Sequence, residues 1–225
     1  MSESGLISDQ MLSEIISEVV YKYVVEGEPI LEREYSIPVE ISRRHVHLTR
    51  AALDTLYGQN YQLTKVRDIS QPGEFASEEK VIIISPRMKV IEGVRIVGPL
   101  REYTQIELAM TDAFLLGLDS IPTRLSGDIA GSQPITLVGP KGSLTLSEGV
   151  IRAARHVHMT PQDAEKYKVK NGDRIKVETE GKNGVIFKDV IVRVSDKSKL
   201  AFHIDTDEAN AANIKGLTFS RILYQ

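Results

Sequence analysis

Four of the five histidines in this chain occur in two copies of one short phrase. Residues 43 to 49 read Arg-Arg-His-Val-His-Leu-Thr, and residues 154 to 160 read Ala-Arg-His-Val-His-Met-Thr. On a helix, side chains at i and i+2 diverge, whereas on a strand they share a face. The flanking Val39, Ile41, Val46 and Val157 favour the strand. Each phrase should therefore present two imidazoles side by side, about 7 Å apart by the strand rise. That arrangement suits ligands of one metal or of two adjacent metals. A single H-x-H is more often a solvated strand edge, but two copies that use His45, His47, His156 and His158 point to a metal site. The fifth histidine, His203, lies near the C-terminus on an expected strand over 200–205, with Phe202 and Ile204 on the opposite face.

A second polar constellation lies between the copies. Read as a strand, residues 101–108 turn Ile106 and Leu108 to one side and Arg101, Tyr103, Gln105 and Glu107 to the other. An antiparallel edge with its polar face in water has the same pattern. Beside the histidines, however, Glu107 becomes a candidate oxygen ligand and Arg101 a candidate clamp for an anion.

Composition limits what else the chain can be. Its 225 residues allow one large domain or two smaller ones, and 41% hydrophobic with 26% charged residues is ordinary for a globular protein. A net charge of -3 and a pI near 6.0, without a basic tract, argue against nucleic acid as a partner. There is no cysteine, so disulfides, thiolate ligands and cysteine nucleophiles are excluded. No apolar run approaches the length of a membrane span, and no secretory pattern opens the chain, so a cytoplasmic location and no membrane partner are expected.

The elements that must position these residues follow the same signals. Leu12, Ile15, Ile16, Val19, Val20 and Tyr23 give an amphipathic helix over 8–26, either docked on its own core or on a second subunit, or serving as a targeting helix that inserts into a protein shell or assembly. A strand over 38–48 carries the first phrase, and Thr49 caps a short helix ending at Gly58. Hairpins are expected from 135–138 with 143–146 and from 174–179 with 185–194. The second phrase runs into Thr160-Pro161-Gln162-Asp163, a capping box with proline at the first helical position. A last helix is expected over 207–213. Short strands with Gly/Pro turns and few helices imply a mainly β fold of two small β-barrels capped by short α-helices.

The set Arg-His-Val-His-Leu, then Arg101, Gln105 and Glu107, then Arg-His-Val-His-Met with a late histidine, resembles the PduL-type phosphotransacylases (phosphate propanoyltransferases). The likeness covers about residues 36 to 220. It implies two barrels with a dinuclear zinc site between them: an N-terminal helix over 1–28, a first barrel from 36–45 plus 153–225, and a second from 46–152. By position, the metal ligands for two zinc ions per chain fall on His45, His47, Glu107, His156, His158 and His203. The phosphate-binding arginine falls on Arg101. Ser42 and Gln105 fall at catalytic polar positions, and Ser126 and Arg193 at substrate-binding ones. The implied reaction moves a short acyl group, acetyl or propanoyl, between coenzyme A and inorganic phosphate. The likeness also implies a homodimer, and opens residues 8–26 to a role in delivery to a bacterial microcompartment, where its shell or enzymes would be the partners.

Six nitrogen and oxygen ligands for two metals leave open coordination positions, as catalytic sites do. Arg101 can hold phosphate through its planar fork, and phosphate is itself a competent nucleophile, so no acyl-enzyme is required. Zinc suits a histidine-rich, cysteine-free site, although cobalt, nickel or iron also bind such ligands. Two other readings stand: a binuclear zinc hydrolase of a thioester, ester or amide, and a non-catalytic zinc-holding shell component.

Overall fold

The computed structural model describes residues 36–224. The helix expected over 8–26 lies outside the described residues. Residues 37 onward form one compact unit built from two rings of strands.

The first ring is a closed barrel of six strands: β1 (Ile37–Ser42), β10 (His156–Met159), β11 (Arg174–Thr179), β12 (Ile186–Val194), β13 (Ala201–Asp205) and β14 (Phe219–Leu223). Around the ring they run β1-β13-β10-β12-β11-β14. Val157 and Met159 of β10 and Phe202 and Ile204 of β13 point into its core, where Phe187 meets Phe202 edge-on at 5.7 Å. Strand alternation therefore turns His156, His158 and His203 outward.

The second ring holds β2 (His45–His47), β3 (Lys65–Asp68), β4 (Phe75–Ile84), β5 (Val90–Gly98), β6 (Gln105–Glu107), β7 (Thr123–Arg124), β8 (Gln133–Val138) and β9 (Ser143–Ala153). Strands β4, β5, β2, β6 and β9 pair in that order, and β8 closes the circle by pairing with both β9 and β4. Val46 and Ile106 fill its core with Ile83, Ile96, Leu137 and Val150. His45, His47, Gln105 and Glu107 consequently share the opposite face.

Helix α1 (Arg50–Tyr57) buries Leu53 and Leu56 against this second core, and Thr49 caps it by accepting from Ala52 N at 3.1 Å. Gly139 allows the β8–β9 turn to sit against the helix end, since a Cβ there would lie 2.5 Å from Leu56 O. Helix α3 (Pro161–Lys166) repeats the design. Thr160 accepts from Asp163 N, and Asp163 accepts from Thr160 N at 2.9 Å. Helix α4 (Thr206–Ala211) starts from Asp205, slightly earlier than the sequence suggests.

The structure departs from the sequence reading at three places. The strand expected over 38–48 is two strands, because the chain leaves the first ring after Ser42 and enters the second at His45. The strand expected over 101–108 shrinks to Gln105–Glu107. Residues 101–104 bond elsewhere: Arg101 N to Leu48 O, and Thr104 Oγ1 accepting from Thr49 N. The strand is also no edge, since β6 lies between β2 and β9 with every residue buried. The third departure is α2 (Met110–Leu115), which the sequence does not announce because Ala109 at its N-cap has no side-chain acceptor.

The crossings between rings set up the site. The chain passes between them through Arg43-Arg44 and again through Ala154-Arg155, immediately before the first histidine of each phrase. Arg152 ties the rings together, with Nε 3.1 Å from Asp205 Oδ2 and Nη2 3.1 Å from Glu208 Oε1. Gln71 of the β3–β4 loop forms a two-way bond with Lys199, donating to its carbonyl at 3.0 Å and accepting from its N–H at 3.2 Å.

Candidate active site

The two histidine phrases are built alike. Each H-x-H strand has a parallel neighbour on one side and an antiparallel one on the other. The antiparallel neighbour supplies the third polar group, placed directly opposite the first histidine. His45 faces Glu107, and His156 faces His203. Two candidate donor sets result, His45/His47/Glu107 and His156/His158/His203, with the donor atoms of each set within 4.8 Å of one another.

The side chains converge more closely than the strand rise alone implies. Nε2 of His45 lies 3.0 Å from Nε2 of His47, and Nε2 of His156 lies 3.0 Å from Nε2 of His158. The outer nitrogens explain what these contacts mean. His45 Nδ1 donates to Arg43 O at 2.8 Å, His47 Nδ1 to Val97 O at 3.2 Å, and His156 Nδ1 to Ala154 O at 2.8 Å. A carbonyl only accepts, so these Nδ1 atoms carry the proton and their Nε2 atoms are bare lone pairs when the ring is neutral. Two bare lone pairs 3.0 Å apart in the first set repel one another unless a cation sits between them. The donor set thus fits a metal, and the backbone carbonyls of the crossing segments fix its tautomers.

Electrostatics act in the same direction. Burial lowers His47 well below its usual value, assisted by the charges of His45 and Arg101 and opposed by the bond to Val97. Burial lowers His156 to about 4, with the Ala154 bond and the Glu107 carboxylate opposing and Arg193 assisting. His158 falls to about 3, from burial and then from His156 and Arg193. His203 falls well below its usual value for the same first reason, with His156, His158 and Arg193 adding to it. Neutral imidazole is the form that binds metal.

Both sets open onto one cavity of about 1500 Å³ between the rings, which Arg101, Ser126, Arg193 and Ser42 also line. Arg101 is held by three partners. Its Nη1 donates to Tyr103 Oη at 3.2 Å and to Ser126 Oγ at 2.9 Å, and its Nη2 pairs with Glu74 Oε1 at 2.7 Å. Arg193 is next to His158 in the register of β10 with β12, on the side of the second donor set. Ser42 ends β1 opposite Asp205 and forms part of the wall.

Gln105 lies behind the wall, fully buried. Its oxygen accepts from Gly127 N at 2.7 Å, and its nitrogen donates to Glu107 Oε1 at 2.6 Å and Ser126 Oγ at 2.8 Å. The backbone donor on one side and the carboxylate on the other fix the orientation of the amide. Ser126 Oγ accepts from both Arg101 and Gln105, which leaves its own proton free to point into the cavity. One hydrogen-bond chain thereby joins a donor set to the guanidinium.

Three residues at the site escaped the sequence reading. Ser70 places Oγ 3.3 Å from His203 Nε2, Glu74 reaches Arg101, and Gln71 ties their loop to the opposite ring. All three belong to the segment Ser70-Gln71-Pro72-Gly73-Glu74. Its Pro-Gly pair signals a turn, but no periodicity connects it to histidines more than twenty residues before it or eighty after it.

A barrel pair with two histidine-rich donor sets and a held arginine across one cavity defines a candidate metal-dependent enzyme of anion chemistry. Residues 38–215 match the phosphate propanoyltransferase family. A phosphate propanoyltransferase of Thermotoga maritima is 47% identical over 199 residues, covering 88% of this chain and 94% of the relative. One of Listeria monocytogenes is 43% identical, covering 93% of each chain, and one of Clostridioides difficile is 40% identical, covering 96% and 98%. This chain belongs to the phosphate propanoyltransferase family.

Proposed function

We propose that the chain is a phosphate acyltransferase that moves a short acyl group, acetyl or propanoyl, reversibly between coenzyme A and inorganic phosphate. The family membership supports this reading. The observation that carries it to particular residues is the bond chain from Glu107 through Gln105 and Ser126 to Arg101, which couples a metal-binding group to an anion cradle.

In this reading two zinc ions are held by His45, His47 and Glu107 and by His156, His158 and His203. Bound zinc would supply Lewis acidity toward a thioester carbonyl and a departing thiolate. Arg101 binds phosphate with the part of its fork that Tyr103 and Ser126 leave open, and the Ser126 hydroxyl donates to a second phosphate oxygen. Arg193 adds positive charge on the side of His158, and Ser42 adds a hydroxyl to the wall. Gln105 holds Glu107 and Ser126 in fixed relation, so that phosphate and acyl carbon meet in one geometry. A phosphate oxygen forms the new bond to the acyl carbon, the carbon–sulfur bond breaks, and the phosphate proton is balanced by the one that coenzyme A gains.

The homodimer, and the role of residues 8–26 in microcompartment delivery or assembly, belong to the same reading. Sedimentation of the full chain tests the first. Removal of residues 1–28 tests the second: lost stability assigns the segment to the assembly, and a fully stable, active product assigns it to delivery.

The direct test is thiol release from acetyl-CoA and propanoyl-CoA by zinc-loaded protein, with and without phosphate. Release that requires phosphate and yields acyl phosphate supports the transferase. Release that ignores phosphate indicates the zinc hydrolase, and no release indicates a non-catalytic zinc-holding component.

A further inference from the structure

Glu74 sits where an acyl-transferring site has no evident use for a negative charge. Its Oε1 lies 2.7 Å from Nη2 of Arg101, the guanidinium proposed to receive phosphate. Both protons of Nη1 are already directed to Tyr103 and Ser126, so an incoming oxyanion is left the edge formed by Nη2 and Nε, where Glu74 already sits on Nη2 and would lie beside it. The backbone that carries this carboxylate is fixed. Ile69 N donates to Glu74 O at 3.1 Å and Glu74 N donates to Gln71 O at 3.2 Å, closing the loop on itself. Gln71 in turn holds Lys199 of the opposite ring from both ends of its amide.

A carboxylate is an acceptor only. Beside a bound oxyanion it repels, unless the oxyanion brings a proton to place between them. Inorganic phosphate near neutral pH keeps at least one P–OH, and sulfate, of the same size and shape, has none. We propose that Glu74 is a specificity-determining residue that accepts the P–OH of hydrogenphosphate and thereby rejects fully deprotonated oxyanions such as sulfate. The inference rests on the reading of this cavity as a phosphate acyltransferase site, and it adds the rule by which that site selects its nucleophile.

The test is displacement of radiolabelled phosphate from zinc-loaded protein by unlabelled phosphate or sulfate, for the wild type, Glu74→Gln, Glu74→Ala and Glu74→Asp. The wild type should bind phosphate and release it to sulfate only weakly. Both neutral variants should move the ratio of sulfate to phosphate affinity toward sulfate by about tenfold or more, and Glu74→Asp should return it toward the wild type. A merely structural role for Glu74 would weaken both anions alike and leave the ratio unmoved. An unchanged ratio in the neutral variants overturns the proposal. So does a wild type that sulfate displaces as readily as phosphate does, or one that binds no phosphate. Binding preference as expected, in protein that shows no phosphate-dependent release of coenzyme A, would count against the enzyme reading and leave the selection rule standing.

Discussion

Glu107 occupies, opposite His45, the place that His203 occupies opposite His156. The two phrases are therefore copies in backbone pairing and in their first two donors, but differ in the charge of the third. The set with Glu107 is anionic when its histidines are neutral, and the set with His203 is not.

That difference makes metal loading a residue-level test. Glu107→Ala and His203→Ala should each lower bound zinc from two per chain to about one. Elemental analysis after dialysis against metal-free buffer checks this. Two ions retained in either variant would remove that residue from the ligand set.

Gln105 should matter nearly as much as a ligand, although it lines no part of the cavity wall. Gln105→Ala frees Glu107 Oε1 and Ser126 Oγ together. A loss of about 10- to 100-fold in zinc affinity at the Glu107 set is expected, as for other groups that orient a metal ligand. Competition with a zinc-binding dye measures it.

Acid should destabilise the metal-free protein. His156 and His158 have folded values of about 4 and about 3, below the unfolded value of 6.5, so between these limits the unfolded chain binds more protons than the folded one. Stability is therefore whole above pH 6.5 and is lost as the pH falls toward those folded values. Denaturant titrations of chelator-treated protein across that range check the sign. Stability that rises with acid would contradict it.

Arg152 joins the rings through Asp205 and Glu208, the pair that also forms the capping box of α4. Arg152→Ala removes the cation beside Asp205 and leaves Glu208 with Arg155, and a loss of at most about 3 kcal/mol is expected. Thermal melting of zinc-free protein measures it without a contribution from the ligands.

Much of this site was legible in the chain because strand alternation ties polar groups to core ones. Val46 and Val157 must point inward, so the histidines beside them must point out, and the same holds for Ile106 with Glu107. The threonine caps at Thr49 and Thr160 were legible because their bonds are local. Long-range partners were not. The break between Ser42 and His45 follows from which strands lie alongside, the shortening of β6 from the bond of Thr104 to Thr49, and Glu74 from a loop with no period of its own. Helix α2 was silent because an alanine stands where a capping oxygen would be looked for.

The proposed function requires Arg101 to deliver phosphate to an acyl group held at the two donor sets. Phosphorus-31 spectra of zinc-loaded protein with propanoyl-CoA and phosphate test it most directly. The wild type should convert phosphate to propanoyl phosphate, and Arg101→Ala, with its zinc content intact, should lose nearly all of that conversion. An Arg101→Ala variant that makes acyl phosphate as fast as the wild type would remove Arg101 from phosphate delivery.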